Sequence, residues 1–138
     1  MENLSISLPL NYKSVHWIFG TDLEQLLNRA IQLKDDIGIS SLTTTGELFF
    51  KNYVEATISN TRNKLYDEII MNDILVLLFY DDIDDKPQCQ KFLRQIINRF
   101  IMSEKEVIIT SLHHPTKLQF EDELLSRYIE YADIIEVN

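Results

Sequence analysis

Asp73-Ile74-Leu75-Val76-Leu77-Leu78-Phe79-Tyr80-Asp81-Asp82-Ile83-Asp84 is the stretch that decides the fold of this chain. Its residues 74–80 are apolar or aromatic without interruption, and two carboxylates follow at once. A run this short and this β-prone is typical of a strand buried on both faces, as in a parallel sheet. Carboxylates at the end of such a strand lie where open α/β sheets bind their ligands. We therefore expect an α/β domain with Asp81 and Asp82 at the ligand-binding edge of its sheet.

The rest of the chain alternates between strand and helix patterns. Further strands are predicted at 15–19, 39–42, 106–111 and 132–137, and helices at 23–31, 45–68 with a break near Asn60, 87–101 and 120–128. Strands and helices that alternate at this spacing imply right-handed crossovers between parallel strands. The expected fold is therefore an α/β, three-layer Rossmann-like domain, in which a parallel five-stranded sheet has helices on both faces.

Length and composition limit the classes of protein that remain. A chain of 138 residues fits one domain, which we place at 13–138 behind an extended N-terminal tail at 1–12. The single cysteine cannot form an internal disulfide, and no apolar stretch approaches the length of a membrane span. We expect a cytoplasmic protein with no membrane partner. A net charge of -9 argues against direct binding of nucleic acid, which needs a basic face.

The carboxylate pair resembles half of a nucleotide site. Nucleotide triphosphatases hold Mg²⁺ with an Asp at this strand end, the Walker B position, and they also need a Gly-rich phosphate loop upstream. Here Gly20 leads directly into Thr21-Asp22-Leu23-Glu24, whose carboxylates would repel phosphate. Because Mg²⁺ completes its coordination shell with substrate phosphates, we expect neither a metal nor a nucleotide cofactor. Asp81 and Asp82 are then a relic acidic pair, with metal binding as the alternative.

Three motifs follow one another along the chain: Asp81-Asp82-Ile83, the stretch 108–115 (Ile-Ile-Thr-Ser-Leu-His-His-Pro), and the stretch 122–128 (Asp-Glu-Leu-Leu-Ser-Arg-Tyr). In order and spacing they resemble the DnaA/Hda-like AAA+ family, whose fourth strand reads roughly Ile-Leu-Thr-Ser-Asp-Arg-x-Pro. The resemblance covers about residues 15–138. It implies an AAA+ core, here without the phosphate loop and without the helical lid.

The resemblance also implies roles for individual residues. Thr110 and Ser111 are sensor-like positions in the fourth-strand motif. Arg127 matches the family's arginine finger, which completes the ATP site of a neighbouring subunit and can contribute roughly 10³–10⁵ in rate. The alternative for Arg127 is a surface ion pair with Glu123, one helical turn earlier.

An N-terminal segment resembles the clamp-binding peptide of Hda-like proteins. That peptide is similar to Gln-Leu-Ser-Leu-Pro-Leu and binds the sliding clamp of the replicative polymerase. The matching residues of this chain are Ser5, Ile6, Ser7, Leu8, Pro9 and Leu10. An extended peptide can present alternate apolar side chains to pockets on a partner. The alternative is that Ile6, Leu8 and Leu10 pack as an N-terminal strand onto their own domain.

Taken together, the resemblance implies a non-catalytic, Hda-like regulator or adaptor of bacterial chromosome replication initiation. Its expected partners are the sliding clamp of DNA polymerase and DnaA or another AAA+ protein, whose ATP hydrolysis it would at most stimulate. Two alternatives remain. One is a nucleotide triphosphatase with an irregular phosphate site. The other is a receiver-like phosphoacceptor domain, which also needs an acidic pair after the first strand, where Asp22 and Glu24 match poorly.

Overall fold

A computed structural model of the protein describes residues 14–37, 40–118, 120, 129–130 and 132–137. Strands and helices alternate along this part of the chain. The bounds are β1 Val15–Phe19, α1 Leu23–Ile37, β2 Ser41–Thr45, α2 Gly46–Ile58, α3 Arg62–Ile70, β3 Ile74–Leu78, α4 Pro87–Met102, β4 Glu106–Ser111 and β5 Asp133–Glu136. Two short 3₁₀ helices, Tyr80–Ile83 and Pro115–Lys117, follow β3 and β4. None of the helices within these ranges is long and apolar enough to cross a bilayer.

The five strands form one sheet in the order β2-β3-β4-β1-β5, and every neighbouring pair is parallel. Side chains alternate between the two faces along each strand, and both faces are covered. On one face Ile18 and Val76 cluster with Leu26 of α1. On the other, Trp17 and Leu77 belong to a larger cluster that also contains residues of α2, α3 and α4. The predicted three-layer α/β architecture is confirmed.

The interior strand β3, next to the edge strand β2, accounts for much of the core. Its residues Ile74, Leu75, Val76 and Leu77 are at most 2% exposed, because helices cover both faces of the sheet at this position. Full burial of an aliphatic side chain stabilises a fold by about 1.5–3 kcal/mol. The prediction of a strand buried on both faces is confirmed.

Several predicted boundaries were wrong by a few residues. The second strand is Ser41–Thr45 rather than 39–42, and it extends to Thr45 because this residue is the N-cap of α2, where its Oγ1 accepts a hydrogen bond from the Leu48 amide. The last strand spans Asp133–Glu136 rather than 132–137. Most of the helix predicted at 120–128 lies outside the described residues, although Ile129 and Glu130 are helical.

The end of β3 also differs from the prediction. The strand stops at Leu78, because Phe79 adopts a left-handed backbone conformation with φ 64° that no strand can continue. Phe79 and Tyr80, which were predicted to end the strand, therefore lie outside it, and Tyr80 begins the 3₁₀ turn that also contains Asp81 and Asp82. Asn60, with φ 57°, similarly marks the predicted break between α2 and α3.

His16 lies near the N-terminal ends of the strands, away from Asp81 and Asp82. Its imidazole ring links β1 to β4 and β5. Its Nε2 lies 2.6 Å from Glu106 Oε1 on β4, and its Nδ1 lies 3.5 Å from Asp133 Oδ2 on β5. Burial lowers the pKa of His16, but the hydrogen bond with Glu106 and the negative charges of Glu106 and Asp133 outweigh that effect. The net result is a pKa above the ordinary value of 6.5.

The raised pKa predicts a pH dependence of folding. Protonated His16 stabilises the fold fully below pH 6.5, its ordinary value, and this contribution is lost as the pH rises through the raised pKa of the folded state. In His16→Gln the free energy of unfolding, measured with urea across neutral and mildly alkaline pH, should no longer fall over this interval. A His16→Gln profile parallel to that of the wild type would contradict the assignment.

Candidate functional site

The ligand-side edge of the sheet brings together most of the described candidate residues. Parallel strands end at the same edge, so Gly20 after β1, the 3₁₀ turn after β3 and Ser111 at the end of β4 are neighbours here. Asp81, Asp82, Thr110 and Ser111 all lie at this edge. Arg127 and the segment 5–10 lie outside the described residues.

Asp81 is turned toward the end of β4. The Leu112 amide donates to both of its carboxylate oxygens, at 3.0 Å from Oδ1 and 3.2 Å from Oδ2, and His113 Nδ1 lies 3.2 Å from Oδ2. A carboxylate that accepts hydrogen bonds from a backbone amide positions that backbone. Asp81 therefore fixes the loop that follows β4.

Asp82 faces a different environment from Asp81. It is exposed and lies close to Glu47 in the first turn of α2. Partial burial and the negative charges of Glu47 and Asp81 raise the pKa of Asp82. The two carboxylates consequently have different neighbours. Among the described residues, no group of three His, Cys, Asp or Glu side chains is placed to hold a metal ion.

The left-handed turn at Phe79 sets the directions of these side chains. A bulky residue in this conformation costs on the order of 1–3 kcal/mol. The Phe79 amide donates to Thr110 Oγ1 at 2.9 Å. The Phe79 carbonyl lies so close to Gly46 that a Cβ at that position would collide with it. Beyond the turn, Tyr80 is fully buried, with its ring centroid 5.1 Å from that of Trp17.

Both sensor-like hydroxyl groups are buried and hydrogen-bonded. Thr110 Oγ1 accepts a hydrogen bond from the Phe79 amide, as described above. Ser111 Oγ accepts a hydrogen bond from Trp17 Nε1 at 2.7 Å and donates one to the His113 carbonyl at 2.5 Å. These bonds connect β4 to β3, to β1 and to its own following loop. Sequence motifs alone located the two residues but not their partners.

The turn after β1 occupies the place where a phosphate loop would begin, and neighbouring backbone closes it. The Gly20 amide donates to the Ser111 carbonyl at 3.2 Å, and the Val137 amide donates to the Phe19 carbonyl at 2.9 Å. A Cβ at Gly20 would collide with the Val137 carbonyl oxygen. The glycine is therefore required by the close approach of β5.

A carboxylate of the chain itself caps the N-terminus of α1. Asp22 Oδ1 accepts hydrogen bonds from the Glu24 and Gln25 amides at 3.0 Å and 3.2 Å. Such amides at a helix N-terminus are the groups that bind phosphate in phosphate loops. Here the Asp22 carboxylate satisfies two of them, and Glu24 adds a second negative charge beside them.

The structure also contains a polar groove between α3 and α4, which the sequence motifs did not predict. Its volume is about 530 Å³. The described lining residues are two arginines, three side-chain amides and two aromatic rings: Arg62, Arg94, Asn63, Gln95, Asn98, Tyr66 and Phe92. The sequence signal for the groove is the stretch 86–103, which contains four basic residues and no acidic one in a chain of net charge -9.

Comparison with known proteins gives a family match and several similar structures. The family model described as "Bacterial DnaA ATPAse domain" matches residues 20–132. No curated protein sequence matches the chain. A solved DNA replication initiation factor is 22% identical with a TM-score of 0.81, and AMPPCP-bound DnaA from Aquifex aeolicus is 23% identical with a TM-score of 0.80. Replication initiator DnaA bound to AMPPCP and single-stranded DNA is 25% identical with a TM-score of 0.78.

These structures are considerably longer than the present chain. The alignments cover 94% of this chain for the replication initiation factor, 93% for DnaA from Aquifex aeolicus and 94% for DnaA bound to single-stranded DNA. In each case they cover 41% of the matched chain. The likeness therefore concerns one part of each of those proteins.

The geometry at the sheet edge predicts unequal effects for the two aspartates. Asp81→Ala leaves the partly buried Leu112 amide without its acceptor, which should lower the free energy of unfolding by about 1–3 kcal/mol. Asp82→Ala removes an exposed carboxylate beside Glu47 and should change that free energy by no more than about 0.5 kcal/mol. Urea denaturation of both variants without added metal measures the difference. Equal losses would contradict the assigned role of Asp81.

Proposed function

The chain belongs to the bacterial DnaA ATPase domain family, and on this premise we propose that it is a non-catalytic regulator or adaptor of bacterial chromosome replication initiation. In this proposal the domain binds no nucleotide of its own. The segment Ser5–Leu10 binds the sliding clamp, and Arg127 reaches the ATP site of DnaA or another AAA+ partner. The protein is then not an enzyme itself but stimulates hydrolysis by its partner.

The observation that carries the proposal is the closed turn from Gly20 to Asp22. A phosphate loop needs several converging amides and a lysine. Here the Asp22 carboxylate occupies the α1 amides, and the Val137 carbonyl abuts Gly20. A helix dipole favours a nearby anion by only about 0.3–1 kcal/mol. That gain does not offset the repulsion between a triphosphate and the carboxylates of Asp22 and Glu24.

The same edge of the sheet disfavours the two alternative functions. A triphosphatase with an irregular site would still need a carboxylate free to hold Mg²⁺ beside a phosphate. A receiver-like domain would need an open carboxylate at a strand end to accept a phosphoryl group. Asp81 stands at that strand end, but its oxygens face the Leu112 amide and the His113 ring.

A first prediction concerns nucleotide binding. Because a ligand that binds the native state raises its stability, ATP at a hundred times its dissociation constant would add about 2.7 kcal/mol. That would raise the melting temperature by several degrees in a chain of this size. We expect no shift with millimolar Mg-ATP or Mg-ADP relative to Mg²⁺ alone. A shift of several degrees would favour the triphosphatase alternative.

A second prediction concerns the partners. In a reaction containing ATP-bound DnaA and DNA-loaded clamp, wild-type protein should stimulate ATP hydrolysis. Arg127→Ala should reduce the rate to the unstimulated value, because the lost guanidinium stabilises transition-state charge in the partner's site. Leu8→Ala/Leu10→Ala should abolish both clamp capture and stimulation, because extended peptides bind through such apolar anchors.

Two controls accompany this assay. Ser7→Ala alters the same segment without removing an apolar anchor and should behave as the wild type. Melting temperatures report whether Leu8→Ala/Leu10→Ala remains folded, since unfolding would indicate that the segment packs onto its own domain. Wild-type stimulation by Arg127→Ala would refute the arginine-finger role.

A second candidate function is binding of single-stranded nucleic acid in the α3–α4 groove. A solved relative, replication initiator DnaA, is bound to single-stranded DNA. In this chain the groove offers the exposed guanidinium group of Arg62 for phosphates and the half-buried ring of Tyr66 for bases, which is the usual chemistry of single-strand sites. The net charge of -9 opposes this candidate, so it stands behind the first.

This candidate predicts a salt-dependent effect of Arg62→Ala. Loss of one phosphate contact should weaken binding of fluorescent oligo(dT) and reduce the slope of log K against log salt concentration by about 0.7. Lys117→Ala, which also removes an exposed charge but lies outside the groove, is the control. No binding by wild type, or equal effects of both variants, would exclude the groove as a nucleic-acid site.

A further inference from the structure

The outer edge of β2 is an open and uncharged sheet edge. β2 pairs with β3 through all of Ser41–Thr45, and no strand among the described residues pairs with its other side. Proteins usually protect such edges with charged residues or proline. The sequence of β2, Ser-Leu-Thr-Thr-Thr, contains neither, whereas β5 at the opposite edge carries Asp133 and Glu136. Within the described part of the chain, no strand therefore occupies the backbone groups on the outer side of β2.

An apolar cleft lies beside this edge. Its volume is about 220 Å³. Its apolar lining comes from β2, α2 and α3, namely Leu42, Leu48, Phe49, Leu65 and Ile69. A strand added next to β2 would place every second side chain on the face that carries Leu42 and Thr44. Those side chains would lie over the cleft, where Leu48 is 46% exposed.

The N-terminal segment of the chain has the sequence pattern that such an edge requires. Leu4, Ile6, Leu8 and Leu10 alternate with Ser5, Ser7 and Pro9, and residues 3–12 carry no charge. In an extended conformation all four apolar side chains would lie on one face. Backbone hydrogen bonds to a sheet edge and alternate side chains in pockets are the two components of β-strand addition.

The distance along the sheet favours a second copy as the source of the segment. β4, β3 and β2 separate β1 from the open edge, so a strand added there lies about 19 Å from β1, at about 4.8 Å per strand. Residues 10–14 span at most about 14 Å when fully extended. The connections at 71–73 and 103–105 also enter β3 and β4 at this end of the sheet. Residue 10 therefore cannot lie beside β2 of its own chain, and residue 8 could reach that edge only if residues 8–14 were fully extended, at about 20 Å.

We propose that the β2 edge and its cleft bind residues 4–10 of a second copy of this chain as an added strand. Each copy carries one such segment and one such edge, so reciprocal exchange satisfies both and closes a dimer. The inference does not rest on clamp binding. A segment that serves both partners would bind the clamp and the second copy in competition, and the experiment below contains no clamp.

Sedimentation velocity of the full chain over micromolar to submillimolar concentrations tests the proposal. Thr43→Lys places a charge on the exposed side of β2 and should weaken self-association at least about tenfold, or about 1.4 kcal/mol. Thr61→Lys makes the same charge change at the exposed N-cap of α3, where the Thr side chain forms no capping bond, and should behave as the wild type. Melting temperatures verify that both variants fold.

Cysteine pairs identify the edge and the copy involved. Native Cys89 is buried, and burial raises the pKa of its thiol to about 12, so it will not react under mild oxidation. In the proposed added strand Ser5 and Ser7 would lie opposite the apolar side chains, as Thr43 lies opposite Leu42 and Thr44 on β2. In mixtures of Ser5→Cys or Ser7→Cys chains with Thr43→Cys chains, oxidised glutathione should give a disulfide-linked dimer of two different chains. Thr61→Cys replaces Thr43→Cys as the control and should not form it.

Several outcomes would overturn the proposal. One is a monomer at every concentration. Others are equal sedimentation of Thr43→Lys and Thr61→Lys, or absence of the disulfide that joins the two different chains. At a concentration where the wild type is also monomeric, a lower melting temperature of Leu8→Ala would place the segment on its own domain and would also refute exchange between copies.

Discussion

The buried hydroxyl groups of Thr110 and Ser111 hold the ligand-side edge of the sheet together. Thr110 Oγ1 accepts a hydrogen bond from the Phe79 amide. Ser111 Oγ accepts one from the Trp17 indole and donates one to the His113 carbonyl. Each such bond contributes about 0.5–1.5 kcal/mol net, but a buried partner left unsatisfied costs about 1–3 kcal/mol. The left-handed conformation of Phe79 persists because its amide is bonded here and its neighbour Tyr80 is fully buried. Without that turn, Asp81 would not reach the Leu112 amide.

This arrangement explains why the two adjacent carboxylates do not converge, although the chain matches an ATPase family. The carboxylates of Asp81 and Asp82 are adjacent in sequence, but the 3₁₀ turn directs them to different neighbours. Asp81 faces a backbone amide and a histidine, and Asp82 faces Glu47. A cation bound by Asp81 would have to displace its Leu112 and His113 contacts, and at the turn after β1 the Asp22 carboxylate already occupies the amides of α1.

The sequence predicted the parts of the fold that depend on periodicity. β3 was recognisable because Ile74–Leu77 form a continuous apolar run, and α4 because Pro87 begins a long amphipathic pattern. The end of β3 was not predictable, since Phe79 and Tyr80 are good strand residues and only tertiary contacts force the turn. The partners of Asp81 depend on the register of β3 against β4, a long-range property. The groove between α3 and α4 likewise arises from helix packing.

The Asp22 carboxylate stabilises the N-terminus of α1, at the turn where a phosphate loop would otherwise bind its ligand. A helix N-terminus leaves backbone amides unsatisfied, and an anion nearby stabilises it. In a phosphate-binding protein a ligand can supply that anion, so part of the stabilisation appears only on binding. Here the Asp22 carboxylate supplies it within the chain, through the Glu24 and Gln25 amides. The Glu24 and Gln25 amides of α1 are therefore satisfied without a bound nucleotide, which is the property that the proposed nucleotide-independent function requires.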